Sequence, residues 1–309
     1  MSKMSTDALS TRQTLNGETM GTRYSAVFFT NPDCDLAVLS AALFEAVDRV
    51  DQQMSTWKPD SDLNRLNKAP IGSWVTLPPQ VLQVLEMAQR IKARSGGAFD
   101  VSVGESVAAW GFGAHAATEK PDLVSIMPLR AAGDAFELDM PLRRARLLRR
   151  ASLDLSGIAK GFAVDELGRV MALFGITQWL VGIDGEMRAG GSKRDGSPWL
   201  VAHERPQPGI REAMGAFELT DLAVATSGIY RHCHTIGERT VSHTMDPQTG
   251  LPIPNTVSAV TVLAQTCMEA DAWATALLVM GPEKGMPLAR NMGMDAIFVL
   301  ADQKIQSSL

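Results

Sequence analysis

The run Asp154-Leu155-Ser156-Gly157-Ile158-Ala159-Lys160-Gly161-Phe162-Ala163-Val164-Asp165 decides how the rest of the chain is read. It opens a helix expected over residues 157–174, closed by Gly175, since a glycine readily ends a helix. Downstream, residues 179–263 break into several short strands punctuated by Gly and Pro. Upstream, a strand is expected over residues 22–30. After it, Leu36, Leu39, Leu43, Val47, Val50 and Met54 recur at three- and four-residue steps and mark one face of a helix. The polar stretch 57–70, rich in Asp, Ser, Asn and Pro, reads as a loop. Pro78 and Pro79 open another helix, with Val81, Leu82, Leu85, Ala88 and Ile91 inward, stopped at Ser95-Gly96-Gly97. Residues 114–134 read as irregular. The last helix starts near Thr266, where Thr266-Cys267-Met268-Glu269 fits a capping box, and a strand near residues 296–300 closes the chain. Helices and strands without strict βα alternation give an α+β class.

The chain has 309 residues, 45% of them apolar and 20% charged. That length buries a full core without disulfides or a structural metal. The net charge of −5 and the lack of a long basic run argue against a nucleic-acid partner, whose phosphates call for clustered Lys and Arg. The short run from Arg143 to Arg150 reads as a solvated loop or strand face. Cys34, Cys233 and Cys267 are odd in number and widely spaced, so no disulfide framework follows, and Cys267 falls in a helical, core-like pattern. Residues 1–15 are polar and read as a loose tail, without the apolar segment of a secretory signal. No stretch reaches the roughly 20 apolar residues of a membrane span. The chain as given therefore reads as soluble.

Several local patterns carry chemistry, each with a plainer structural reading beside it. Asp271 and Thr275 stand four apart on the last helix and share a face, where carboxylate and hydroxyl oxygens suit a hard cation; Asp271 equally suits the helix dipole. The small residues and Lys160 of the 154–161 run suit a phosphate at a helix entrance. The spacing is not that of a P-loop, and tight packing would ask for the same residues. Gly182-Ile183-Asp184-Gly185-Glu186 suits a hairpin or a close approach to a ligand. Gly111, Gly113 and Ala116 match a dinucleotide fingerprint only loosely, without the flanking strand and helix. His232 and His234 could face one way on a strand as metal ligands, but no third ligand is evident. There is no G-x-S-x-G nucleophile elbow.

Taken in order along the chain, the patterns resemble the ApbE family of FAD:protein FMN transferases. The resembling runs are Glu18-Thr19-Met20-Gly21-Thr22, Met54-Ser55-Thr56-Trp57, Ser61-Asp62-Leu63-Asn64-Arg65-Leu66-Asn67, and the stretch from Gly97 to Gly104. They continue with Trp110-Gly111-Phe112-Gly113, Asp154 to Asp165, Gly182 to Glu186, and Ala225-Thr226-Ser227-Gly228. The last two are Ser242 to Gly250 and Glu269 to Leu277. The resemblance covers residues 17–300, so residues 16–309 read as one domain of this family.

The resemblance implies a fold related to the T-fold, with mixed, mostly antiparallel sheets packed against helices. It implies FAD as substrate, with flavin contacts at Met20, Trp57, Ala98, Phe99, Asp100, Asp154, Lys160 and Met245. It implies magnesium held by Asp271, Thr275 and the backbone carbonyl of Gly157, close to Ala274. The implied reaction transfers FMN to a Ser or Thr hydroxyl of an acceptor protein, such as a redox-complex subunit or a flavinylated reductase, and releases AMP. His243 is the implied base, a histidine being the side chain suited to move a proton near neutral pH, and Lys160 steadies the phosphate charge. Asp246 either orients His243 or starts the turn at Pro247. Hydrolysis of FAD to FMN and AMP, or FAD binding without turnover, are the alternatives. Trp57 replaces the Tyr common in relatives, and residues 230–240 depart from the family's aromatic-rich stretch. Relatives are usually periplasmic or held at the inner membrane, so a trimmed leader is compatible with the absence of one here.

Overall fold

The computed structural model describes residues 10–114, 133–207, 209, 212–229, 233–236 and 239–308. His115, His232 and most of the stretch expected to be irregular lie outside the described residues. The chain opens with a hairpin, β1 (Thr11–Thr19) and β2 (Thr22–Thr30), in which Thr11 faces Thr30 and Thr19 faces Thr22. β1 thus begins inside the stretch expected as a loose tail. Its side chains alternate between more and less exposed, which is the period of a strand at a sheet edge. That weak, polar alternation hid it from the composition-based reading.

Helix α1 (Leu36–Met54) follows the expected apolar stripe, with Asp35 accepting the N–H groups of Ala37 and Val38 as its N-cap. Helix α2 (Asp62–Lys68) occupies the segment expected as a loop. Ser61 caps it by accepting the Asn64 N–H, and Leu63 and Leu66 are fully buried. Two apolar side chains and a cap are enough here because the helix has only two turns and leans on α1. Next come β3 (Val75–Thr76), α3 (Pro79–Arg94) and α4 (Gly104–Ala109), then β4 (Phe136–Asp139) and β5 (Arg144–Leu147). Strands β3, β5 and β4 form a small sheet in that order. Arg144 and Arg146 of the basic run pair with Asp139 and Glu137 and flank the Trp74 ring at 4.5 Å each.

Helix α5 (Ala159–Leu173) leads into β6 (Trp179–Ile183), β7 (Glu186–Gly190), β8 (Trp199–Glu204), β9 (Ala213–Leu219) and β10 (Ala223–Gly228). Then come β11 (Cys233–Ile236), β12 (Arg239–Ser242), β13 (Val257–Ala264), α6 (Cys267–Asn291), β14 (Asp295–Leu300) and β15 (Ile305–Ser307). The main sheet has eight strands in the order β1-β2-β6-β7-β10-β13-β14-β15. Every strand pair among the described residues is antiparallel, so the expected mixture resolves to antiparallel pairing.

All five residues of β6 are buried, because both faces of the sheet are covered there. Val181 and Ile183 join the large core under the helices, while Leu180 packs with Trp199 and Leu219 of the β8–β9 hairpin on the other face. Such double coverage gives a continuous apolar run instead of alternation. Helix α6 is capped by Thr266, whose hydroxyl accepts the Glu269 N–H and donates to the Glu269 carboxylate, so the expected capping box forms its serine/threonine half, while Glu269 reaches back to the hydroxyl. The helix breaks at Gly281 (φ 69°), just before Pro282, where a proline forbids a straight continuation.

Candidate functional site

The β6–β7 hairpin and the end of β10 mark a split in the main sheet. β7 pairs with β10 only through Ala223–Arg188 and Val224–Met187, so Thr226, Ser227 and Gly228 run past the end of β7. A cavity of about 910 Å³ opens at this end, near the top of the roughly 300–1,000 Å³ range of ligand pockets. It is therefore sized for a dinucleotide-like molecule. It is lined by Met20, Trp57, Ala98, Phe99, Asp100, Asp154, Gly157, Lys160, His243, Met245, Asp271 and Thr275. Every site residue expected from the sequence thus falls on one surface, though the residues lie up to 255 positions apart in the chain.

Each side chain is placed by identifiable local chemistry. Met20 and Gly21 form the two-residue turn between β1 and β2, at φ 48° and 71°. This turn favours Gly or Asn at both positions, so a methionine there sits against its backbone preference while its side chain lines the cavity. The Trp57 loop is shaped by buried Asn64, whose amide donates to the carbonyls of Thr56 and Lys58 at 3.0 and 2.9 Å. Between those two anchors the Trp57 ring stands at the cavity rim, 69% exposed. Asn67 donates to the Leu153 carbonyl at 2.9 Å and accepts the Leu153 N–H at 2.8 Å. It clamps the segment that delivers Asp154, whose carboxylate accepts the Ser156 N–H. Asp100 is engaged by Lys92 at 2.9 Å and accepts the Ser102 N–H.

The His243–Met245 segment is tied onto the same wall. Gln248 donates to the Gly96 carbonyl and Trp110 Nε1 to the Gly250 carbonyl. The Phe112 and His243 rings meet edge to face at 6.3 Å. The Asp246 carboxylate accepts the Gln248 N–H and the Thr249 hydroxyl. Of its two readings, the turn is therefore the one its hydrogen bonds serve. Cys233 is exposed on β11, Cys34 is half-buried, and Cys267 is buried as expected.

The charged floor is where α5, β7 and α6 meet. Lys160 Nζ lies 2.7 Å from Glu186 Oε1. Burial alone would lower the Lys160 pKa, but Glu186, Asp271 and Asp184 outweigh it and hold the ammonium above its ordinary value. Asp271 is 4% exposed and accepts the Gly161 N–H on Oδ2 at 3.0 Å. Burial, then the Glu186 carboxylate, push its pKa up to about 7, against Lys160 and the Gly161 N–H. A Cβ on Gly161 would sit 2.3 Å from the Cys267 carbonyl oxygen, so only glycine allows α5 and α6 this close. Asp165 accepts the N–H groups of Cys267 and Met268, both at 2.9 Å, and pairs with Arg188 at 2.7 Å. Thr275 Oγ1 lies 2.9 Å from Ser227 Oγ, and a Cβ on Gly157 would approach it to 3.1 Å.

These residues suit a hard divalent cation. Carboxyl groups outnumber cations here, with Glu186, Asp271, Asp165 and Asp184 around Lys160 and Arg188, and Glu186 Oε2 has no hydrogen-bond partner among the described residues. Asp271 and Thr275 offer oxygen only, and magnesium is commonly held by one or two carboxylates together with substrate phosphates. Among the described residues no three of His, Cys, Asp and Glu gather as a metal cluster, and such an oxygen set does not need one. The sequence reading left Asn67 and Glu186 open and gave no role to Asn64 or Ser227. Their only signal was membership of the resembling runs; the partners of Asn67, Glu186 and Ser227 are distant in sequence. No helix among the described residues is long and apolar enough to cross a membrane.

The chain is similar in sequence and in fold to several flavin transferases. A relative from Vibrio cholerae named FAD:protein FMN transferase is 37% identical over 289 residues, spanning 89% of this chain and 83% of its own. The protein of the same name from Escherichia coli K12 is 32% identical, over 94% of this chain and 84% of its own. The solved flavin transferase ApbE from Vibrio cholerae superposes with a TM-score of 0.86 at 34% identity, covering 97% of each chain. The ligand-free flavinyl transferase ApbE from Pseudomonas stutzeri gives 0.86 at 34%, covering 97% of this chain and 96% of its own. A family model described as the ApbE family matches residues 20–298, so the fold, the cavity and the ordered motifs together place this chain in the ApbE family.

Proposed function

We propose that this protein is an FAD:protein FMN transferase that moves FMN from FAD to a Ser or Thr hydroxyl of an acceptor protein and releases AMP. The observation that carries the proposal is the convergence of a stacking ring, a paired lysine, a histidine and an oxygen donor set on one dinucleotide-sized cavity. Relatives 32–37% identical over most of the chain bear the transferase name.

Trp57 offers a flat, exposed face to one ring of FAD. Lys160 faces the pyrophosphate, kept cationic by Glu186 and held where charge grows as the bond breaks. His243 takes the proton of the acceptor hydroxyl. The hydroxyl oxygen then bonds to the FMN-side phosphorus, the P–O bond toward the adenylate breaks, and AMP leaves with the bridging oxygen. Asp271, Thr275 and the Gly157 carbonyl would hold magnesium, which supplies charge neutralisation on the pyrophosphate oxygens.

The test is to incubate the protein with FAD, magnesium and an acceptor domain bearing a Thr, and to weigh the acceptor by mass spectrometry. A gain equal to FMN less water, absent with chelator and in Asp271→Ala, is expected. AMP and free FMN without an adduct would replace the transferase reading with an FAD pyrophosphatase. Bound FAD without either product would leave a flavin-binding protein.

A further inference from the structure

We infer that Ser227 is a positioning residue for the cation site: its oxygen accepts the hydrogen bond from the Thr275 hydroxyl and so turns a Thr275 lone pair toward the metal. The inference rests on the magnesium reading above and deepens it. A hydroxyl carries one proton and two lone pairs. If it ligates a cation through a lone pair, its proton must point away from the cation, and an acceptor at hydrogen-bond distance fixes that direction. Thr275 Oγ1 has Ser227 Oγ at 2.9 Å. Both residues line the cavity.

The placement is rigid for reasons visible in the sheet. Ser227 sits on β10, paired through β13 with Val260 directly opposite. Its neighbour Thr226 points to the other face of the strand, as strand alternation requires, and bonds Thr261 Oγ1 at 2.8 Å. Thr275 is fixed from the opposite side by α6 and by the Cα of Gly157, where even a methyl would come within 3.1 Å of its hydroxyl oxygen. The Thr275 hydroxyl thus has the Gly157 backbone close by and the Ser227 oxygen at hydrogen-bond distance. The Ala225-Thr226-Ser227-Gly228 run thereby gains a function: one hydroxyl ties the sheet together and the next orients a ligand. Groups that orient a metal ligand in this way typically change metal affinity by 10–100-fold when removed.

The experiment compares wild type, Ser227→Ala, Ser227→Thr, Thr226→Ala and Asp271→Ala. Magnesium affinity is measured by calorimetric titration of the protein, and the half-activating magnesium concentration is measured in FAD turnover. Ser227→Ala is expected to weaken both by about 10–100-fold while kcat at saturating magnesium stays within a few-fold of wild type. Ser227→Thr, which keeps the hydroxyl, and Thr226→Ala, which removes a hydroxyl from the other face, are expected to bind magnesium as wild type does. Unchanged or tighter binding in Ser227→Ala, with Asp271→Ala impaired, overturns the inference and leaves the magnesium reading standing. Equal weakening in Thr226→Ala also overturns it, because loosening of β10 would then explain the loss. Wild-type binding in Asp271→Ala, or no saturable binding in wild type, overturns the magnesium reading and the inference with it.

Discussion

Replacing Asp271 by Asn should make the ligand-free protein more stable at neutral pH while abolishing its response to magnesium. Asp271 is almost fully buried, and its pKa stands near 7 instead of the ordinary 3.8. The folded state therefore holds this proton over a pH range in which the unfolded chain releases it. Stability from this group is fully present below about pH 4 and is lost as pH rises through about 7. Three pH units at about 1.4 kcal/mol each set a ceiling of about 4 kcal/mol for the cost of ionising it in the fold. Asn has nearly the same shape and keeps an oxygen for the Gly161 N–H, but it never ionises. In urea denaturation with chelator present, the stability of the Asp271→Asn variant minus that of wild type should rise by about 1.4 kcal/mol per pH unit from about pH 4 to 7 and then level off. Magnesium should reverse the order at pH 8, because a ligand stabilises only the state that binds it. A variant less stable than wild type at pH 8 without metal, or a difference that ignores pH, would refute the electrostatic reasoning.

Lys160→Met should cost about 10²–10³ in kcat, the usual toll for removing a group aimed at developing charge, and about 2–3 kcal/mol of stability, because it strands a buried carboxylate. Adding Glu186→Leu to it should restore the stability in denaturant titrations and leave the activity lost; a double variant no more stable than the single would contradict this. Gly161→Ala should destabilise by about 1–3 kcal/mol through overpacking of α5 on α6, seen as a lower urea midpoint, since its Cβ would meet a backbone carbonyl and not a flexible side chain. Trp57→Ala should weaken FAD binding by roughly 2–10-fold, the worth of about 0.5–1.5 kcal/mol of ring contact. Trp57→Tyr should bind nearly as wild type in a flavin-fluorescence titration.

Elements with a strong periodic signal were legible from the sequence: α1 from its apolar stripe, α3 from its prolines and glycines, and α6 from its cap. The α+β class and the family followed from motifs read in order. β1 and α2 were missed because their signals are local and faint. β1 is a polar edge strand whose partner supplies its order, and α2 is two turns held by a cap and two leucines. The residues lining the cavity were legible as motif members. What no spacing could give was their connections, since Asn67 to Leu153 and Ser227 to Thr275 link positions 86 and 48 residues apart. Glu186 became interpretable only once α5 brought Lys160 against it.

The two ion pairs between α5 and β7 explain why that contact is both firm and poised. Lys160 meets Glu186 and Asp165 meets Arg188, so the charge order on the helix is the reverse of that on the strand. A slip of α5 along β7 would bring like charges together, so the pairs key the register. Asp165 is fully employed, since it also accepts two N–H groups at the start of α6. Glu186 is not: Oε2 lacks a partner among the described residues, and its charge raises Asp271. A buried ion pair seldom adds net stability over apolar side chains of similar volume. The Asp165–Arg188 pair already secures the register, so the Lys160–Glu186–Asp271 group is hard to account for as a device for folding. It makes sense as a site left electrostatically incomplete for a cation and for a phosphate-bearing ligand: the lysine answers the ligand and the carboxylates answer the metal.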